Sequence, residues 1–312
     1  MAKRILTGIK PTEDLHIGNY LGTLINWSKY IKEGYECYFF VADYHSLTAN
    51  YDPKKKYSQI LTLTAEILAL GVDPKKCVFF QQSAIPEHTE LMWYFNCLTP
   101  VSFLERMTQY KDALAKKQEN ANVGLFTYPT LMAADILLYD TDIVPVGMDQ
   151  VQHLELARDV ARFFNNRFGK IFKEPQPKLT ESAKVMSLVE PEKKMSKSGG
   201  EKSIIFLADE PRIVAEKFRK ATTDEKGLEN LRSLAKVFMK DFDAKNYANN
   251  NLKLKEDLAK GIADHFATFR KKRKELLAKP KYLEKILADG AKKAKKIAEK
   301  KILIVRKKVG VR

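Results

Sequence analysis

Residues 127–165 read TYPTLMAADILLYDTDIVPVGMDQVQHLELARDVARFFN, and this stretch decides the fold. Leu131, Ala134, Leu137 and Leu138 recur at helical spacing, with Pro129 placed as for a first helical turn. Residues 142–147 (DIVPVG) form a short apolar run ending on glycine, the pattern of a buried parallel strand. Val151, Leu154, Ala157, Val160, Ala161 and Phe164 then mark a second amphipathic helix. Helix, strand, helix with short joints predicts an α/β unit. Two features exceed what packing asks for. Asp135 is a carboxylate inside an apolar helix, costly without a partner. Gly147, Met148, Asp149 and Gln150 follow the strand at its carboxyl end, where open α/β sheets bind ligands.

Toward the N-terminus the same alternation continues. Residues 4–9 (RILTGI), 37–42 (CYFFVA) and 77–82 (CVFFQQ) read as strands, and residues 55–70 and 89–98 as helices, with Gly71 closing the first of these. The order predicts a doubly wound parallel sheet. After the first strand and the turn KPTED, a helix begins near His16, and a strand–loop–helix opening is a natural phosphate site. His16 and Asn19 share one side of its first turn, and Gly18 leaves room for a flat ligand. No G-x-G-x-x-G or G-x-x-x-x-G-K-[ST] pattern is present. Residues 112–122 are polar and weakly periodic and are read as a mobile loop or lid.

Beyond Phe168 the chain turns Pro-rich before Lys194-Met195-Ser196-Lys197-Ser198, a loop with Gly199 and Gly200 as a hinge before a strand at 204–207. Two lysines and two hydroxyls in such a loop suit a polyphosphate. From Pro211 onward only helices are predicted, over 212–222, 228–239, 254–277 and 282–302, the last started by Pro280.

Composition sets the class. A content of 45% hydrophobic and 30% charged residues fits a globular protein. No apolar run reaches the roughly 20 residues of a membrane span, and the opening MAKRILTGIKP lacks a signal-peptide core. Cys37, Cys77 and Cys97 lie far apart, which argues against disulfides or a metal site and predicts a reducing, cytoplasmic setting. The net charge is +16, and residues 251–312 hold 21 Lys and Arg against seven Asp and Glu. That +14 tail suits a phosphate-rich polymer.

His16-Ile17-Gly18-Asn19 and Lys194–Ser198, on one parallel α/β frame, resemble together the HIGH and KMSKS signatures of class I aminoacyl-tRNA synthetases. Within that class the 127–165 stretch, LTGIKPT, YHSLT, LERMTQY and MSLVEPEKKMSKS resemble the tryptophanyl-tRNA synthetase family over roughly residues 3–224, and more weakly into the tail. The resemblance implies a Rossmann-like catalytic domain over 1–207, which binds ATP and tryptophan and includes the KMSKS loop, and a basic helical tRNA-binding domain over 208–312. It implies tryptophan activation by ATP, with Mg²⁺ bound with ATP and no metal of the protein's own. Transfer to tRNA(Trp) then follows, by a homodimer with no membrane attachment.

By the same resemblance, His16, Gly18 and Asn19 would line the ATP, with Lys10, Pro11 and Thr12 at the edge. Lys194 and Lys197, with Met195, Ser196 and Ser198 in their loop, would neutralise charge developing toward pyrophosphate. Gly147, Met148 and Asp149 would hold the ribose and adenine side, and Val185 and Met186 would pack near the base. Asp135 would accept the indole N–H, the ligand being its missing partner. Met132, Val144, Val146 and His45 would line the ring pocket, and Tyr128 and Gln150 would orient the amino group. Departures from the family pattern fall at Leu6 (often Phe, against the ring), Lys10 (often Gln) and Ala113 (often a lid lysine). The rival readings are a tyrosyl-tRNA synthetase, or a synthetase-like binding or sensor protein without aminoacylation.

Overall fold

The computed structural model describes residues 2–12, 14–117, 121–180, 185–195 and 200–311, with Asp149 described by its backbone alone. Strand β1 (Arg4–Ile9) leads into α1 (Ile17–Asn19), a π-type turn over Tyr20–Leu24 and α2 (Ile25–Lys32), so the helix expected near His16 is one helical segment with a widened turn. Then come β2 (Glu36–Val41), α3 (Pro53–Ala69), β3 (Val78–Gln81), α4 (Glu87–Asn96), α5 (Val101–Glu105) and α6 (Thr108–Ala115). Next are α7 (Val123–Leu137), β4 (Ile143–Val146), α8 (Val151–Phe168) and β5 (Gln176–Leu179). The rest is helical: α9 (Pro211–Arg219), α10 (Glu225–Phe238), α11 (Asn251–His265), α12 (Ala267–Leu277) and α13 (Pro280–Val309).

The five strands are all parallel, in the order β3-β2-β1-β4-β5. Because side chains alternate along a strand, each strand feeds two cores. Ile5, Phe39 and Phe79 enter a cluster with Trp27, Leu63 and the α9–α12 helices. Leu6, Tyr38, Phe40 and Phe80 enter a second cluster with α4, α7 and α8. This is the doubly wound α/β sheet that the alternation predicts.

Helix α13 wraps the β3 edge. Its Ile286 and Leu287 belong to the first cluster, its Ala291, Ala294, Ile302 and Val305 to the second. A Cβ on Gly290 would stand 1.8 Å from the carbonyl oxygen of Phe79, so only glycine permits this approach. The covered edge strand is thereby shielded from pairing with another chain, and the basic tail is anchored to the sheet rather than hung from it.

Five expectations are corrected. Pro129 is interior to α7, which starts at Val123 behind an Asn122 side chain that accepts the N–H of Leu125. Residues 112–115, expected in the loop, belong to α6 instead, where Ala113 is buried and Tyr110 packs on Phe126 with ring centroids 4.8 Å apart. The Pro-rich stretch hides β5, where Pro177 is tolerated because the strand is an edge and pairs only with β4. Residues 204–207 lie outside the sheet: they run beside the first turn, with Ile17 N–H donating to Ile205 C=O (3.0 Å) and Leu207 N–H to Leu15 C=O (2.8 Å). The helix expected over 254–277 is also broken, at Phe266 between α11 and α12.

Candidate active site

The central strands set the site. β1 and β4 pair only through Ile5 and Ile143, whereas β1 and β2 are in register from Arg4 to Ile9. Past that single pair the two strands part toward their carboxyl ends. This is the switch point of the strand order, and a cavity of about 360 Å³ opens there, a volume typical of small-molecule sites. Leu6, His45, Tyr128, Met132, Asp135, Val144, Val146 and Gln150, the residues expected on the indole side, all line it, and Lys10 and Gly147 line it as well. A Cβ on Gly8 would lie 2.5 Å from the Phe40 ring, so this glycine admits Phe40 to the cavity wall. The Lys10 ammonium stands 5.8 Å from the centroid of the Tyr128 ring.

Asp135 is 1% exposed and far from lacking partners. His45 Nε2 lies 2.7 Å from Oδ2, His88 Nδ1 2.6 Å from Oδ1, and Gln82 Nε2 donates to both oxygens at 2.8 and 3.0 Å. Burial by itself would push this carboxyl up, but the facing His45 and His88 outweigh it and hold it down at about 2. An ionised carboxylate only accepts, so both imidazoles present N–H to it. His88 Nε2 in turn meets the Tyr139 hydroxyl at 2.8 Å, whose proton burial secures. The expectation that the ligand is the missing partner of Asp135 is corrected: three side chains from three other segments already satisfy its charge. Gln82 and His88 were missed in the sequence. Gln82 directly follows β3, so the rule that singled out Gly147 to Gln150 at the end of β4 would have found it; nothing in the local spacing marks His88.

The first turn is built differently. His16 caps α1, with Nδ1 accepting the N–H of Gly18 (3.1 Å), while Asn19 Oδ1 accepts the N–H of His16 (3.2 Å). A Cβ on Gly18 would fall 2.8 Å from the His16 ring, so the flat group this glycine accommodates is the imidazole of His16 itself. The remaining expected nucleotide contacts are spread around this turn. Pro11 is buried and Thr12 exposed; Met148 is exposed after Gly147 at the end of β4. Met186 and Lys194 form an antiparallel bridge, with Lys194 exposed. The side chains of Val185 and Met195 are in the first core, where Met195 N–H also donates to Val185 C=O (2.9 Å). Ser196, Lys197 and Ser198, with Gly199 of the expected hinge, lie outside the described residues, as does the side chain of Asp149. Ala113, at the expected lid-lysine position, is buried and cannot reach a phosphate.

This sheet, cavity and capped first turn are those of a class I synthetase. Residues 2–296 match the family model for tRNA synthetases class I (W and Y), and the chain belongs to that family. It is 42% identical to the tryptophan–tRNA ligase of Rickettsia felis, with 99% of each chain covered. It is 41% identical to the tryptophan–tRNA ligase of Clostridium perfringens, over 99% of this chain and 98% of that one. The solved tryptophanyl-tRNA synthetase of Campylobacter jejuni, complexed with ADP and tryptophan, superposes with a TM-score of 0.88 at 38% identity, covering 98% of this chain and 99% of the other.

Proposed function

We infer that this protein activates L-tryptophan with ATP to tryptophanyl-adenylate and transfers it to tRNA(Trp). The observation that carries the reading is the β1–β4 cavity, where apolar side chains surround one buried, ionised carboxylate, set beside a capped helix start, in a chain full-length similar to tryptophan–tRNA ligases. The indole ring would lie among Leu6, Met132, Val144 and Val146, its N–H turned to Asp135, and Tyr128 and Gln150 would hold the amino group. Because Asp135 is saturated, the ligand N–H shares or displaces a contact, and His45, which lines the cavity, is placed to yield.

Activation needs no protein nucleophile, since the tryptophan carboxylate attacks the α-phosphorus in line. The residues' work is therefore positioning and charge stabilisation. His16, Gly18 and Asn19 would place the nucleotide, with Gly147, Met148 and Asp149 at its ribose and adenine and Lys10, Pro11 and Thr12 at the edge. Lys194 and Lys197 would offset charge on the departing pyrophosphate. Mg²⁺ would arrive with the triphosphate, which suits an ion that keeps its waters and binds through phosphates. Among the described residues no group of three or more His, Cys, Asp or Glu forms a cage for a metal.

The +14 tail would carry tRNA, the division falling after residue 207. A homodimer would give partners to exposed apolar side chains such as Trp93 on α4 and Val101 on α5. No helix among the described residues is long and apolar enough to cross a membrane, and charging tRNA would be work for the cytoplasm. ATP–pyrophosphate exchange tests the reading. Stimulation by tryptophan and not by tyrosine is expected; the reverse would make this a tyrosyl enzyme.

A further inference from the structure

We propose that Glu66 is a positioning residue for the nucleotide-binding turn, holding the peptide that opens it and being held in turn by Arg273 of the C-terminal helical region. The inference rests on the reading of His16, Gly18 and Asn19 as nucleotide contacts. Glu66 sits within α3 with no exposed surface. Its Oε2 accepts the N–H of Leu15 at 3.1 Å, one residue before the His16 cap. Its Oε1 accepts from Arg273 Nε at 2.8 Å, and the same guanidinium donates through Nη2 to Asp14 Oδ1 at 2.8 Å. Arg273 thus bridges α12 to both α3 and the loop that enters the turn.

A buried carboxylate persists only when its charge and lone pairs are met. Burial pushes it up and Asp14 adds to this, Arg273 and the bonds from Arg273 and Leu15 pull against them, and the balance leaves it raised to about 7. Packing alone would be served as well by an apolar residue at this position of an amphipathic helix. What the carboxylate adds is a fixed acceptor for one particular backbone N–H.

Leu15 is a node. Its N–H is held by Glu66, and its C=O accepts from Leu207 in the extended segment that follows the lysine-bearing loop. One turn further on, the Tyr20 hydroxyl meets His265 Nε2 of α11 at 3.1 Å, and the Tyr20 ring packs edge-on against Phe266. The helical region therefore grips the first turn before and after the putting-in place of His16, and a misplaced cap there would weaken nucleotide binding without touching the indole side.

The test is pyrophosphate exchange by the full-length protein, with KM measured separately for ATP and tryptophan. Glu66→Leu removes the acceptor and is expected to raise KM for ATP about tenfold while KM for tryptophan stays within about twofold. Glu66→Gln keeps an acceptor for Leu15 and should cost no more than about threefold. Unchanged KM for ATP in Glu66→Leu, an equal rise in both constants, or a Gln variant as impaired as Leu would overturn the proposal.

Should Glu66→Leu not fold, Arg273→Ala with and without Glu66→Gln decides. The single variant strands a buried charge and should raise KM for ATP about tenfold, and removing that charge should recover most of the loss. A double variant no better than Arg273→Ala would overturn the proposal. Absence of tryptophan-dependent exchange in the wild type would instead strike at the proposed function. A wild type that exchanges normally, beside variants that leave KM for ATP alone, strikes only at Glu66.

Discussion

The two sides of the candidate site, one proposed to take the indole and the other the nucleotide, are organised by different means. On the indole side, order comes from side chains: the carboxylate of Asp135 is fixed by His45, Gln82 and His88, which arrive from three separate segments. On the nucleotide side, order comes from backbone: Leu15, His16, Ile17 and Gly18 all carry peptide hydrogen bonds, to Glu66, Asn19, Ile205 and the His16 ring. The first arrangement suits discrimination, because a buried, fully bonded polar group penalises any ligand that fails to replace a lost contact. The second suits a charged ligand gripped by N–H groups and lysines, where the geometry of the turn matters more than any one side chain.

The contrast can be broken from either side. Asp135→Asn has the largest expected effect: it removes the charge and turns an amide N–H toward one of the two imidazole donors and the Gln82 amide. Its kcat/KM for tryptophan in pyrophosphate exchange should fall by at least about 10²-fold, with KM for ATP little changed. Wild-type kinetics in this variant would remove Asp135 from the indole site. Gly18→Ala should have a smaller effect of the opposite kind. Its Cβ would meet the His16 ring at 2.8 Å, displacing the cap and raising KM for ATP about tenfold, with KM for tryptophan unchanged. A rise in KM for tryptophan instead would show that the two sides are not separately ordered.

Most of the frame was legible in the sequence because local pattern and tertiary role agree there. The run at 142–147 is apolar since β4 is covered on both faces, and Gly71, with φ of 95°, closes α3 as a glycine past a helix end should. Where pattern and role disagree, the reading failed for identifiable reasons. Pro177 masks β5, which pairs along one side only. Ala113 is buried and its neighbour Tyr110 packs on Phe126, which 112–122 taken alone does not reveal.

The site divided in the same way. The cavity-lining residues were found from strand ends and from resemblance, but Asp135's partners lie 90, 53 and 47 residues away in the chain, and no local spacing encodes such a meeting. Glu66 was hidden for the same reason, its Arg273 partner being 207 residues distant.

The indole N–H is proposed to be read by one buried carboxylate, that of Asp135. The most direct measurement compares wild-type pyrophosphate exchange driven by L-tryptophan with that driven by its analogue carrying sulfur in place of the indole N–H. For the sulfur analogue kcat/KM is expected to be lower by at least about 10²-fold, since sulfur donates nothing to Asp135 in exchange for the contact that the ring displaces. Equal kcat/KM for the two would contradict it and leave the cavity an apolar slot that selects by shape alone.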